Sequence, residues 1–197
     1  MFTKRILGVL VGCIVLSTAT GVAAWDGKRK GFILGGGIGP GMTSFTQKVE
    51  YGAASKTSPL ENKFGLQTDF KIGGAPTDLI QIYYTNKVSW FGIENIYGND
   101  VIIASGLSAV GVSYYSQPES PSSFFSGGLG FSSWAVPEEE ANTWIGFGFY
   151  AGVGYEFARY WNVEFDLVWG NPSEEEAGLK ATTNAFTYSL MINVLGY

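Results

Sequence analysis

The stretch Ile145-Gly146-Phe147-Gly148-Phe149-Tyr150-Ala151-Gly152-Val153-Gly154-Tyr155-Glu156-Phe157 decides the fold. Taking every second residue separates Ile145, Phe147, Phe149, Ala151, Val153, Tyr155 and Phe157 from Gly146, Gly148, Tyr150, Gly152, Gly154 and Glu156. Side chains alternate across a strand, so one face of this segment is wholly apolar while the other carries glycines, one tyrosine and one acid. The following segment repeats the split, with Trp161, Val163, Phe165, Leu167 and Trp169 against Asn162, Glu164, Asp166 and Val168. Earlier in the chain, Phe64, Leu66, Phe70 and Ile72 oppose Gln67, Asp69 and Lys71.

Working outward, the same two-residue period predicts eight strands, at about 30–40, 64–73, 79–88, 101–115, 123–133, 144–158, 160–169 and 184–196. No segment sustains a period of about 3.6 residues, so helices are not expected. Because proline cannot donate to a ladder, the prolines at 40, 59, 76, 118, 121, 137 and 172 are expected outside strand interiors or at strand ends. The connections alternate. Gly74-Ala75-Pro76-Thr77-Asp78, Ser116-Gln117-Pro118-Glu119-Ser120-Pro121 and the turn at Arg159 are short; those at about 41–63, 89–100, 134–143 and 170–183 are long. Short turns at one end and long loops at the other are the arrangement of an up-and-down barrel crossing a membrane.

The same alternation would suit a soluble barrel, so the direction of each face has to be argued. The polar face is rich in glycine, which suits a crowded interior. The apolar face of 144–158 runs unbroken far enough to cover an apolar band about 25 Å tall. All six tryptophans, Trp25, Trp90, Trp134, Trp144, Trp161 and Trp169, fall at or just beyond predicted strand ends. Indole favours a membrane–water interface. The sequence therefore predicts one girdle of Trp90, Trp134, Trp144 and Trp169 at the loop end. A second, of Phe32, Tyr114, Tyr160 and Trp161, is predicted at the turn end. The expected fold class is all-β, an eight-stranded antiparallel up-and-down transmembrane β-barrel over 25–197, with both termini at the periplasmic end.

These motifs resemble the small outer-membrane β-barrel superfamily of the OmpA/OmpX type, including the opacity-type porin family. The residues that carry the resemblance are Gly31-Phe32-Ile33-Leu34-Gly35-Gly36-Gly37-Ile38-Gly39, Gly152-Val153-Gly154-Tyr155-Glu156-Phe157 and Tyr160-Trp161-Asn162-Val163-Glu164. The final strand, ending in the aromatic Tyr197, looks like the signal read by the barrel-assembly machinery. Tyr188, Leu190, Ile192 and Val194 set an outward parity that Tyr197 breaks, so a bulge or a frayed end is expected there. The resemblance implies a Gram-negative outer-membrane location among lipid and lipopolysaccharide, and an adhesin-like contact role for the loops.

The first residues fit export. Lys4 and Arg5 precede an apolar run from Ile6 to Leu16, and Val22-Ala23-Ala24 offers small residues for cleavage after Ala24, which makes 1–24 a signal peptide. Leu10-Val11-Gly12-Cys13 resembles a lipobox, but Ile14-Val15-Leu16 continue the apolar run, so Cys13 reads as part of it. Without Lys4 and Arg5 the mature chain carries 10 basic residues against 17 acids, a net charge of −7, which argues against a nucleic-acid partner.

No histidine occurs, which removes the usual nucleophilic triads and most zinc sites. The glycine run ending Gly39-Pro40-Gly41 lacks the G-x-G-x-x-G spacing and no helix follows it. No catalytic residue, metal or cofactor is therefore expected. A lumen charge cluster is expected instead, with Asp69, Glu156, Glu164 and Asp166 facing Lys71 and Lys87. Four acids against two lysines predict a further cation from a loop, a bound ion or a protonated carboxyl. Gly35, Gly37 and Gly39 should face Ser126, Gly128 and Gly130 across the barrel, leaving room for water or a narrow path. Glu138-Glu139-Glu140 and Glu174-Glu175-Glu176 would solvate the loops. The expected role is structural or surface-interactive through the loops, with no identifiable surface partner. The alternatives are a narrow passive channel and a soluble secreted ligand-binding barrel.

Overall fold

The computed structural model describes residues 27–94, 98, 100–137 and 143–197. The signal segment with Cys13, Trp25 and Glu138-Glu139-Glu140 lie outside the described residues. The strands are β1 (Gly31–Tyr51), β2 (Ala54–Thr57), β3 (Glu61–Thr77), β4 (Ile80–Glu94), β5 (Asp100–Tyr115), β6 (Ser122–Ala135), β7 (Thr143–Ala158), β8 (Trp161–Glu176) and β9 (Leu179–Gly196). β1 and β3 to β9 pair antiparallel in chain order, and β9 returns to β1, closing an eight-stranded barrel. The short β2 pairs with the top of β1, from Lys48↔Thr57 to Tyr51↔Ala54, and stands outside the ring.

The expected long connections at 41–63 and 170–183 are largely strand. β1 and β3 extend through the first, and β8 and β9 extend through the second until the two-residue turn Ala177-Gly178. Both turn residues have positive φ, 50° and 79°, as a tight hairpin matched to strand twist requires. The sequence signal fails here because the inward residues just above the predicted ends are small or polar, such as Gly41, Thr43 and Thr183, and the rim beyond them is exposed on both faces, so hydrophobic alternation fades while the backbone ladder continues. At ~3.3 Å per residue and a tilt of about 40°, the 21 residues of β1 climb roughly 50 Å, about twice an apolar band.

Pro40 and Pro172 sit inside strands, contrary to expectation, while Pro76 stands at the end of β3, and each coincides with a break in a ladder. The β1–β9 register passes from Ile38↔Ile192 to Gly41↔Ser189, leaving Gly39 and Pro40 unpaired with β9. The β8–β9 register likewise skips Asn171 and Pro172. Pro76 lies at the register shift between Gly74 and Thr77. A residue without an N–H is tolerated where the ladder is already irregular.

The faces are reversed relative to a water-soluble barrel. Outward-facing Phe64 and Phe131 are 76% and 71% exposed, whereas inward-facing Glu156, Glu164 and Asp166 are 0% exposed. Tyr197 needs neither a bulge nor a frayed end. Its parity matches inward-facing Asn193 and Leu195, and its ring is buried in the turn-end mouth against Tyr160.

Close backbone approach at the β1–β9 seam requires Gly39. A Cβ added there would meet the Leu190 carbonyl oxygen and lie 3.0 Å from the Met191 Cα. Gly39→Val is expected to lower unfolding stability by about 1–3 kcal/mol. Urea titration of the refolded protein, followed by tryptophan emission, measures this; an unchanged midpoint would mean the seam has slack.

Candidate functional site: a charged lumen closed at both ends

Alternation brings Asp69 and Lys71 on β3, Lys87 on β4, and Glu164 and Asp166 on β8 into the barrel, because their neighbours Phe70, Phe165 and Leu167 point outward. β3 and β4 stand across the bore from β8, so the lysines reach over it. The Lys71 Nζ lies 2.5 Å from a Glu164 oxygen and 3.4 Å from Asp69. The Lys87 Nζ bridges Asp69 at 3.0 Å and Asp166 at 2.7 Å. Hydroxyls complete the shell: Thr85 donates to Asp69 at 2.6 Å and Ser126 to Glu164 at 2.6 Å. The Asn193 amide donates to Asn162 at 2.9 Å and to Glu164 at 3.3 Å.

Glu156 does not join this group. It lies at the turn-end mouth, where the guanidinium of Arg29 meets it through two nitrogens, Nε at 3.2 Å and Nη2 at 2.7 Å. Arg29 also donates to the carbonyls of Asp78 at 3.3 Å and Gln117 at 2.6 Å, and lies over the Tyr115 ring at 4.0 Å. Ser120 and Tyr197 donate to the same carboxylate. One residue thus ties the segment before β1 to β7, to the β3–β4 turn and to the β5–β6 turn.

The extra cation is therefore Arg29, and it comes from the segment preceding the first strand rather than from a loop. Nothing in the sequence pattern marked it, since Lys28-Arg29-Lys30 reads as an exposed basic run. Arg29, Lys71 and Lys87 face four carboxylates, which leaves one negative charge in excess. The Asp166 Oδ1 atom has no hydrogen-bond partner among the described residues.

At the opposite end the bore is crossed by an aromatic plug. Phe45 of β1 stacks on Phe91 of β4 at 5.8 Å, and Trp134 of β6 meets them at 4.9 and 5.6 Å. Trp134 is 4% exposed and faces inward, and Trp144 packs against the same cluster. Neither belongs to the predicted loop-end girdle: their parity places them on the lumen side, which a position near a strand end does not decide. Trp90 and Trp161 face outward, at 36% and 46% exposure. Trp169 shares their outward parity and donates to Asn184 at 2.9 Å. Of the turn-end group, Tyr160 turns toward the inner cluster and packs on Tyr197.

The expected gap between the glycines of β1 and β6 is filled. The Tyr150 ring of β7 lies over Gly128 and Gly111, and its hydroxyl is 2.9 Å from that of Tyr83. The Asn193 side chain takes the place a Cβ on Gly37 would occupy. Between the charges and the aromatic plug, Thr43 bridges Ser89 at 2.7 Å and Thr187 at 2.8 Å. A cavity of about 20 Å³ beside this hydroxyl layer has room for about one water.

Such an arrangement can hold charge, and among the described residues the lumen has no cleft for a polymer. Arg29→Met leaves Glu156 buried and unpaired, and is expected to cost about 3–5 kcal/mol of unfolding stability. Adding Glu156→Gln should restore a large part of it. Denaturant titration of the single and double variants checks this; a double variant no more stable than Arg29→Met would refute the ion-pair assignment.

No protein-family model matches the chain, and no curated protein matches it in sequence. Among solved structures, the outer membrane protein OprG from Pseudomonas aeruginosa is similar with a TM-score of 0.54 at 9% identity, over 86% of this chain and 98% of OprG. Neisserial surface protein A gives a TM-score of 0.39 at 11% identity, over 80% and 96%. Ail, the attachment invasion locus protein of Yersinia pestis, gives 0.34 at 10%, over 79% and 98%. The OprG likeness speaks to fold alone. With its closed antiparallel ring, charged interior and apolar outer wall, the chain has the fold of the small eight-stranded outer-membrane β-barrels.

Proposed function

We propose that the chain spans the outer membrane of a Gram-negative bacterium as a non-conducting, non-enzymatic barrel, with a structural or surface-contact role carried by its outer rim. The observation that carries the reading is the inversion of the faces: large apolar side chains cover the outside while three carboxylates lie fully buried inside. In water this would expose a continuous apolar wall; in lipid it is the favourable arrangement, with every wall strand paired on both sides. The same inversion weighs against a soluble ligand-binding barrel.

Bonds across the bore favour a closed lumen over a passive channel. Tyr83 with Tyr150, Lys87 with Asp166 and Phe45 with Trp134 each join strands that are not neighbours, and Arg29, ahead of β1, reaches Glu156 on β7. The same pairs weigh against catalysis, since the lumen acids are committed to lysine and arginine. In this reading residues 1–24 are the export signal, cleaved after Ala24. The short turns face the periplasm, the last strand engages the barrel-assembly machinery, and the outward wall meets lipid and lipopolysaccharide. The extended β1–β2 and β8–β9 hairpins, with Lys48, Glu50, Glu174, Glu175 and Lys180, form the surface offered to a partner outside.

Two measurements test this. In the outer-membrane fraction, an unboiled sample should migrate faster on an SDS gel than a boiled one; a single unshifted band in the soluble periplasmic fraction would return the soluble reading. In planar bilayers the purified protein should give no resolved conductance steps. Steps that persist across preparations would establish the channel in place of the closed barrel.

A further inference from the structure

Between the girdles, the outward side chains of β7, β8 and β9 are apolar: Phe149, Val153, Val163, Phe165, Leu190 and Ile192 are typical. The wall formed by β3, β4 and β5 differs. Thr68, Asn86 and Ser108 point outward there, since their neighbours Asp69, Lys87 and Leu107 are buried inside. Asn86 stands opposite Ser108 and Phe70 in the two ladders, and Thr68 stands one step above, opposite Val88. The Asn86 Nδ2 donates to the Ser108 Oγ at 2.8 Å, and the Tyr84 hydroxyl donates to the same oxygen at 3.2 Å.

Depth makes this patch unusual. Asn86 lies six residues along β4 from Ile80 at the turn end. At ~3.3 Å per residue and a tilt of about 40° it stands roughly 15 Å above that rim, within an apolar band about 25 Å tall. A carboxamide has two N–H donors and a carbonyl acceptor. Ser108 takes one N–H; among the described residues the amide oxygen and the second N–H have no hydrogen bond. Water meets such groups on a soluble surface, but hydrocarbon does not, and polar side chains in lipid gather against protein instead. Beside the amide, the outward side chain on β5 is the small Ser108, which leaves the Asn86 amide room to meet a second wall.

We propose that this face is the contact surface of a homodimer within the membrane, with the two Asn86 amides paired across a two-fold axis. A second copy fits because a carboxamide is its own complement, donor to acceptor in both directions, and a two-fold interface sets each residue against its counterpart. The patch of Thr68, Asn86 and Ser108 carries no formal charge, so it gives a charged partner no counter-charge. The inference rests on the membrane-spanning reading above.

The test uses single cysteines in the mature chain, which has none of its own after cleavage at Ala24. Val110→Cys lies beside Asn86 on the proposed face, and Phe165→Cys lies on the opposite wall; both native side chains are exposed, at 64% and 43%. Full-length mature protein is reconstituted into phosphatidylcholine–phosphatidylglycerol vesicles at high lipid excess and oxidised. The Val110→Cys protein should form a disulfide-linked dimer at least fivefold more than the Phe165→Cys protein. Asn86→Leu in the Val110→Cys background should remove that excess while the unboiled band still migrates fast. Equal cross-linking at the two positions, or cross-linking indifferent to Asn86→Leu, overturns the proposal. Should Asn86→Leu fail to fold, as the gel would reveal, Asn86→Ala takes its place with the same expectation. Failure of the unsubstituted chain to enter vesicles would instead overturn the membrane reading itself.

Discussion

Closure of β1 on β9, from Leu34 opposite Gly196 to Tyr51 opposite Leu179, is the constraint on which the other features depend. An open sheet of this sequence would leave two long edges of unmet amide and carbonyl groups beside an apolar face, a state neither water nor lipid favours. Once the ring is closed, parity sorts every side chain into one of two environments. Closure also fixes the bore of an eight-stranded ring, which is just wide enough for side chains to fill. The glycines of β1, β6 and β7 then serve as space for their neighbours: Asn193 beside Gly37, Tyr150 beside Gly128, Phe124 beside Gly154.

Within that bore the ionic groups work as struts. A lysine from β3 or β4 and a carboxylate from β8 hold opposite walls at a fixed distance. The arrangement is worth having less for net stability, which buried pairs seldom add, than for setting which strands stand opposite one another. Slipping one strand by a residue would turn Lys71 or Asp166 to the outside and Phe70 or Leu167 to the inside, so the charges strongly penalise the wrong register. Arg29 extends the same logic beyond the ring by anchoring the chain entering β1 to the β3–β4 and β5–β6 turns.

Much of this was legible because a strand half buried in each environment writes its faces into the sequence with period two. The inward set Asp69, Lys71, Glu164 and Asp166 could be read that way, as could the eight-strand count. Parity also holds where it was not applied: Trp134 and Trp144 stand on the inward register, and their place near strand ends was the weaker clue. What could not be read lies outside the reach of that period. The rim ends of β1, β3, β8 and β9 are exposed on both faces, so they carry no alternation. Arg29 is positioned by folding of the whole ring, 127 residues from the Glu156 it meets, and no local spacing encodes that contact.

The tight turn at Ala177-Gly178 and the long ladders beneath it bear on how the outer rim would fare among hydrolytic enzymes. A peptidase takes its substrate as a free extended segment, reading the backbone through hydrogen bonds that a paired strand already uses. In the β8–β9 hairpin those groups are engaged by the neighbouring strand from Ser173 opposite Thr182 to Glu176 opposite Leu179. Scission there requires several rungs to part first, so exposure of side chains and vulnerability of the main chain are uncoupled. A hairpin built this way can change its side chains at Glu174, Glu175 or Lys180 without becoming easier to cut.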